Sequence, residues 1–395
     1  METLALLLDG LAGAVAPQNL LAIFVGVILG LAVGALPALG PAAGVAILLP
    51  AIVNLDPTVA IAGLAGVYYG AMYGGAVTSI LLGVPGDSAA MMTVVDGYPM
   101  AKRGEAGRAL GMAVYASFVG GLISLVLMTF LSTAVARTAL AFGPAEMTAL
   151  IVLALALVTV LGGDDAIKGF LGLGLGLWVG MIGLDPMRGT ERFTFGSLHL
   201  LDGIEFTVVV VGMYGLGQMF AALGAPAGNT GRASYSMSSL MPRLADLFVC
   251  KVTLVLSSLI GFFVGVLPGA GATAATVFAY ATAKRLSKTP EEFGKGAVEG
   301  VAAPEAANNA ASYSAMIPLF TLGIPGSGTT AVMLGGLLML GLEPGPRLFS
   351  QQPEFIWTLI GTFYIGNIVL VFLTLLLVPV LAALVFVRTS ILFPI

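Results

Sequence analysis

Apolar residues in this chain run in long unbroken blocks, without the alternation or one-faced spacing of a water-soluble core. Residues 20–36, 60–82, 110–134 and 244–267 approach or exceed the length of about 20 apolar residues that a membrane-crossing helix needs. Runs at 146–161, 167–184 and 204–223 are further candidates. The run 355–387 would either span with tilt or hold two pieces broken near Pro379. Four more runs, 44–53, 88–95, 270–283 and 326–342, are short and sit just after Pro-Gly interruptions. Apolar segments of about 10–14 residues read as re-entrant or broken helices. The pattern predicts an all-α polytopic membrane protein with about eight spans and four half-helices. The polar stretches 185–203, 224–242 and 284–309 are expected to be loops or short surface helices.

Composition agrees. Charged residues make up 9% of the 395, against about 25% in soluble domains. The 54 glycines and 21 prolines would also suit a disordered chain. Disorder requires low hydrophobicity, however, and the mean hydropathy is +1.04. The net charge of −4 comes with no basic patch, which argues against a nucleic-acid partner and leaves membrane lipid. One cysteine, Cys250, and one histidine, His199, rule out an internal disulfide and a Cys/His metal cluster. No cofactor is called for, although carboxylates and carbonyls could still hold Na+ as a coupling ion. The first basic residue is Lys102, so no positively charged leader precedes the first apolar run, and insertion by the chain's own helices is expected.

Two motifs recur in the same order. Val33-Gly34-Ala35-Leu36-Pro37-Ala38-Leu39-Gly40 resembles Val264-Gly265-Val266-Leu267-Pro268-Gly269-Ala270-Gly271. Leu82-Gly83-Val84-Pro85-Gly86-Asp87 resembles Leu322-Gly323-Ile324-Pro325-Gly326-Ser327. Two matched pairs in register argue for an internal repeat. The expected division is a first membrane repeat at 1–165, connecting helices and loops at 166–243, and a second repeat at 244–395. Lys and Arg then tell how the copies lie. In the first half they follow the second motif (Lys102, Arg103, Arg108). In the second half they follow the first motif (Lys284, Arg285, Lys288, Lys295), and only Arg347 follows the second. Equivalent loops would then face opposite sides, as in inverted-topology repeats.

Proline removes a backbone donor, and lipid cannot satisfy the groups that a broken helix frees. Such breaks belong where they line a cavity or a ligand site, with half-helix N-termini offering N–H groups to an anion. The candidate substrate contacts are therefore Pro37, Gly40, Gly74, Gly75, Thr78, Pro85, Gly86, Asp87 and Ser88. Their counterparts in the second half are Pro268, Gly269, Gly271, Asn308, Asn309, Pro325, Gly326 and Ser327. Asp87, Glu305 and Asn309 are candidates for cation coupling, because an ionisable group inside a membrane is a functional candidate by default. The competing reading of Asp87 is a helix N-cap, and of the asparagines, interhelical hydrogen bonding. The glycines of Gly172-Leu-Gly-Leu-Gly176 are expected to allow close helix packing, Tyr68 and Tyr69 to pack, and His199 to be solvated.

Several longer motifs carry a family resemblance. Tyr69-Gly-Ala-Met-Tyr-Gly-Gly75, Val84-Pro-Gly86, Asp96-Gly-Tyr-Pro-Met-Ala-Lys-Arg-Gly104, Arg192-Phe-Thr-Phe-Gly196, Leu322-Gly-Ile-Pro-Gly326 and Pro344-Gly-Pro346 resemble the large, TctA-like membrane subunit of the tripartite tricarboxylate transporters. The resemblance runs from about Gly26 onward. It implies a multi-pass protein of the bacterial inner membrane that imports citrate or other carboxylates on an ion gradient. It also implies two partners, a small four-helix membrane subunit and a periplasmic solute-binding protein, with the two Pro-Gly tips as substrate contacts. Family members carry further C-terminal helices, so a shortened second repeat is expected. Homo-oligomer formation stays open.

Two other classes compete. A passive ion or anion channel would need a continuous polar lining, whereas the polar residues here cluster at the breaks. An enzyme would need a nucleophile beside a base, which one histidine and one cysteine do not supply. A non-transporting membrane fragment is the third alternative.

Overall fold

A computed structural model of the protein describes residues 2–36, 39–141, 143–161, 166–185, 190–201, 203–204, 208–209, 212–213, 240–241 and 243–385. The described chain is almost entirely helical. A two-stranded antiparallel pairing joins β1 (Gly183–Leu184), just before the polar stretch 185–203, to β2 (Glu191–Arg192) within it. Among the described residues five helices are long and apolar enough to cross a membrane. The chain is therefore a multi-pass membrane protein. The expected run 204–223 and the loop 224–242 fall largely outside the described residues.

The described chain opens with α1 (Glu2–Ala14) and α2 (Pro17–Gly34). It continues with the short α3 (Gly40–Ile52), α4 (Pro57–Leu82), α5 (Met91–Lys102) and α6 (Ala106–Leu140). Helices α7 (Pro144–Leu161) and α8 (Ala166–Gly180) connect to the second repeat. There α9 (Leu244–Val266) and the short α10 (Gly271–Leu286) correspond to α2 and α3. The pair α11 (Val298–Ser314) and α12 (Met316–Leu322) corresponds to α4. Helix α13 (Gly328–Met339) corresponds to α5. After the short α14 (Leu348–Gln351), α15 (Pro353–Val385) closes the described chain.

Small residues set the packing within each repeat. A Cβ on Gly26, Gly30 or Gly34 would run into the backbone oxygen of Gly63, Val67 or Ala71 respectively. Residue numbers rise together, so α2 and α4 run parallel and nearly backbone to backbone. Interfaces of this kind are how helices associate where lipid removes the hydrophobic drive. The second repeat repeats the contact, with Gly261 against Ala307 and Gly265 against Ala311. Helix α3 then turns back along α4, with Gly44 beside Val67. Helix α10 turns back likewise. The Ser287 hydroxyl at its end donates to Glu299 at 2.6 Å, and Thr253 of α9 donates to the same carboxylate at 2.8 Å. Helices α2–α3 and α9–α10 are thus two re-entrant hairpins.

The two hairpins enter from opposite ends. The turn after α5 meets the turn after α10, where the Arg103 guanidinium donates to the Gly296 carbonyl at 2.7 Å. At the other end α13 meets α3, with Gly336 against Leu49 and Ile52. Non-equivalent loops therefore share an end, which is the inversion that the charges predicted. Lys102, Arg103, Arg108, Lys284, Arg285, Lys288 and Lys295 collect at one end, whereas at the other end the turns after α3 and α13 hold, among the described residues, only Arg347.

Two expectations change, and one choice between alternatives is decided. The second part of the polar stretch 284–309 is not a surface loop: α11 begins at Val298 and is buried along nearly its whole length. Its Glu, Asn and Ser side chains face protein rather than lipid, so hydropathy misreads it. Of the two readings of the run from 355, the single span holds as far as the described residues go, because α15 passes through Pro379 as one helix to Val385. Gly172, Gly174 and Gly176 show no close packing among the described residues, since a Cβ at each would meet nothing within 4 Å.

Candidate functional site at the four helix breaks

Each repeat carries a tip. Helix α4 ends at Gly83 (φ 71°, ψ 21°) and α12 at Gly323 (φ 68°, ψ 18°). This left-handed conformation closes a helix and favours glycine. An extended Pro-Gly segment follows each. In the first, Asp87 (φ −147°) accepts the Ala90 N–H at 2.9 Å and caps a 3-10 turn, Ser88–Ala90, that leads into α5. In the second, Ser327 (φ −152°) accepts the Thr330 N–H at 3.2 Å, and the Thr330 hydroxyl accepts the Ser327 N–H at 2.8 Å. This reciprocal pair is a capping box that satisfies two freed donors. Asp87 thus does serve as an N-cap.

The tips fold back onto the breaks in α2–α3 and α9–α10. A Cβ on Gly86 would lie 2.5 Å from both the Gly34 oxygen and the Gly75 Cα. A Cβ on Gly326 would lie 2.9 Å from the Gly265 oxygen and 3.1 Å from the Ala315 Cα. Only glycine fits such approaches. Gly269 N–H donates to the Gly326 carbonyl at 3.2 Å, joining break and tip directly. Gly40 (φ 54°) abuts Asp87, and Gly271 (φ 60°) opens α10 in the same way. Pro37 lies outside the described residues. Pro85, Pro268 and Pro325 are half-buried at the break surfaces.

Contacts across the repeats bring the breaks together. The Ser88 and Thr273 hydroxyls are 2.8 Å apart, and those of Tyr68 and Ser327 are 3.2 Å apart. Thr78 donates to the Gly75 carbonyl at 3.0 Å, bracing the turn below Gly86. Gly74 packs against Leu31 and Ala35 of α2. Gly75 lies toward the tip, near Asp87 and Ala90.

Beside this junction lies a buried polar layer on α11. The Glu305 carboxylate accepts the Thr93 hydroxyl at 2.6 Å and the Ser117 hydroxyl at 3.3 Å. Among the described residues no ion pair reaches it. Asn309 donates to the Glu305 carbonyl at 3.3 Å and to Asn308 Oδ1 at 3.2 Å. Asn308 Nδ2 and Asn309 Oδ1 are buried without a hydrogen-bond partner, as are the Tyr69 and Tyr313 hydroxyls. A buried polar atom left so carries an energetic penalty and calls for an explanation. The Tyr69 and Tyr313 rings stack at 5.3 Å.

Sequence reasoning missed three participants. Tyr68, read as packing, hydrogen-bonds the opposite tip. Thr93 and Ser117 became visible only once α5 and α6 were packed on α11. Asp96, which entered only as part of a longer motif, is wholly buried.

This architecture can be compared with known proteins. The description "Tripartite tricarboxylate transporter TctA family" matches residues 20–395. The chain belongs to that family. Within the TctA family, it is 39% identical over 394 residues to an "uncharacterized 52.8 kDa protein in TAR-I ttuC' 3'region" of Agrobacterium vitis. That alignment covers 100% of this chain and 78% of the relative. An "uncharacterized protein in TAR-II ttuC' 3'region" of the same organism is 44% identical over 134 residues, covering 34% of this chain and 55% of the relative. No solved structure matches. The TctA family match takes in all four breaks and leaves α1 outside. TctA proteins are the large subunits of tripartite transporters, so the chain is a transport protein that works within a system of several subunits.

Proposed function

We propose that this chain is the permease subunit of a binding-protein-dependent secondary transporter that imports carboxylates, either citrate-like tricarboxylates or dicarboxylates. The convergence of four helix breaks from two inverted repeats carries this reading. Such a junction presents backbone N–H groups at Gly40, Ser88 and Gly271 and small hydroxyls at Ser88 and Ser327, where a carboxylate can be held without arginine. The unpartnered Asn308 amide supplies one more donor. Sodium or a proton drives uptake through Asp87, Glu305 and Asn309, whose carboxylate and amide oxygens suit either cation. The partners are a small four-helix membrane subunit and a periplasmic solute-binding protein. The cation-rich end faces the cytoplasm of a bacterial inner membrane.

Reconstitution with both partner subunits tests this. Liposomes are screened with labelled carboxylates under separate sodium and proton gradients, and then in counterflow. A carrier accumulates label transiently against unlabelled substrate inside. Flux without that overshoot would mean a pore.

A further inference from the structure

We infer that Asp96 is a positioning residue that holds the inner gate of this carrier shut by tying α5 of the first repeat to the turn leading into α11 of the second. Its Oδ1 accepts three backbone N–H groups, from Gly294 at 2.9 Å, Gly296 at 2.7 Å and Ala297 at 2.8 Å. Its Oδ2 accepts the Tyr280 hydroxyl of α10 at 2.8 Å. The carboxylate is wholly buried, and Gly300 leaves it room, since a Cβ there would collide with it. The N–H groups ahead of a helix have no partners of their own, and a carboxylate is the acceptor that suits them best. A single side chain therefore joins three segments, at the end where the cations collect.

The inverted repeat supplies the contrast. The residue equally far beyond the second tip is Gly336, where a Cβ would have the side chains of Leu49, Leu64 and Ile52 as its nearest neighbours. One end of the carrier is thus fastened by charge-assisted hydrogen bonds and the other by apolar contact. Helix α5 hangs directly from the Asp87 tip, and Thr93, one turn before Asp96, holds Glu305. Swinging α5 away from 294–297 would open the tip region toward the cation-rich end. That movement must break all four bonds to Asp96. The inference rests on the carrier reading, because a gate has meaning only for a protein that alternates between two sides.

The test uses the whole chain with its partner subunits, made cysteine-free by Cys250→Ala and given a reporter by Ser88→Cys. A membrane-impermeant maleimide is applied separately to each side of oriented vesicles. Tyr280→Phe removes one hydrogen bond and should raise labelling from the cation-rich end about two- to tenfold. Asp96→Asn weakens all four bonds and should raise it about tenfold or more. Unchanged labelling from that end, or an equal rise from both ends as general loosening would give, overturns the gate. If Asp96→Asn does not assemble, Tyr280→Phe decides alone, since its ring still packs on Phe293 at 5.4 Å. Uptake is measured in parallel vesicles holding the wild-type protein, with Ser88 and Cys250 in place. A one-sided rise without wild-type uptake overturns the carrier reading and keeps the gate, whereas uptake without a one-sided rise overturns the gate alone.

Discussion

The Ser88 hydroxyl, on the first tip, lies 2.8 Å from that of Thr273, two residues into the re-entrant helix of the opposite repeat. This pair is where the inverted copies touch through side chains at their broken ends. Both residues are small, and their separation suits a disulfide, whose Cβ atoms sit about 3.5–4.5 Å apart. With Ser88→Cys and Thr273→Cys in a Cys250→Ala background, mild oxidation should cross-link the repeats and stop uptake. Reduction should restore it. Failure to form the cross-link would show that the two breaks are not neighbours.

Asp87 has two roles that substitution separates. As a cap it needs only an acceptor for the Ala90 N–H, which asparagine also provides. As a coupling group it needs its charge. Asp87→Asn should therefore insert and fold normally but lose uptake or its cation dependence. Asp87→Ala should in addition destabilise the tip by about 1 kcal/mol. Wild-type uptake kinetics in Asp87→Asn would leave the residue as a cap alone.

Glycine substitutions should divide sharply by position. Gly34→Ala and Gly261→Ala push a methyl group into the backbone of α4 or α11, and overpacking of this kind typically destabilises by about 1–3 kcal/mol. Gly172→Ala meets nothing and should be neutral or slightly stabilising, since alanine favours helix by about 1 kcal/mol over glycine. Thermal aggregation of the detergent-solubilised protein, followed by size-exclusion chromatography, reads the difference. Equal midpoints for Gly34→Ala and Gly172→Ala would contradict the α2–α4 contact.

Sidedness is also open to direct measurement. Cysteines placed at Lys102 and Lys284 should be labelled from the same side of the membrane, and one at Glu343 from the other. Labelling of Lys102→Cys and Lys284→Cys from opposite sides would rule out the inverted arrangement.

The breaks were legible because proline and glycine occur there together: Pro85-Gly86 and Pro325-Gly326 each follow a left-handed glycine, Gly83 or Gly323, whereas the lone Pro379 leaves α15 unbroken. The inversion was legible from the loops around Lys102 and Lys284, because charge placement reflects topology directly. Helix α11 was not. Hydropathy reports affinity for lipid, and Glu305, Asn308, Asn309 and Ser312 are buried against protein. Asp96 eluded assignment for another reason: its partners Tyr280, Gly294, Gly296 and Ala297 lie far along the chain, and only the fold brings them to it. Tyr68 is similar, since nothing near it in sequence points to Ser327.

The reciprocal joining of tips and breaks also bears on how the chain is made. When α6 has left the ribosome, the first repeat already holds a broken α2–α3 hairpin and the Asp87 tip. The residues that later contact them, Thr273, Ser327 and the 294–297 turn, have yet to be synthesised. Until α10 and the turn before α11 arrive, the nascent protein has open helix ends and, in Asp96, a buried-to-be acid without its donors. The first repeat by itself therefore lacks the partners of Tyr68, Ser88 and Asp96, all of which the second copy supplies.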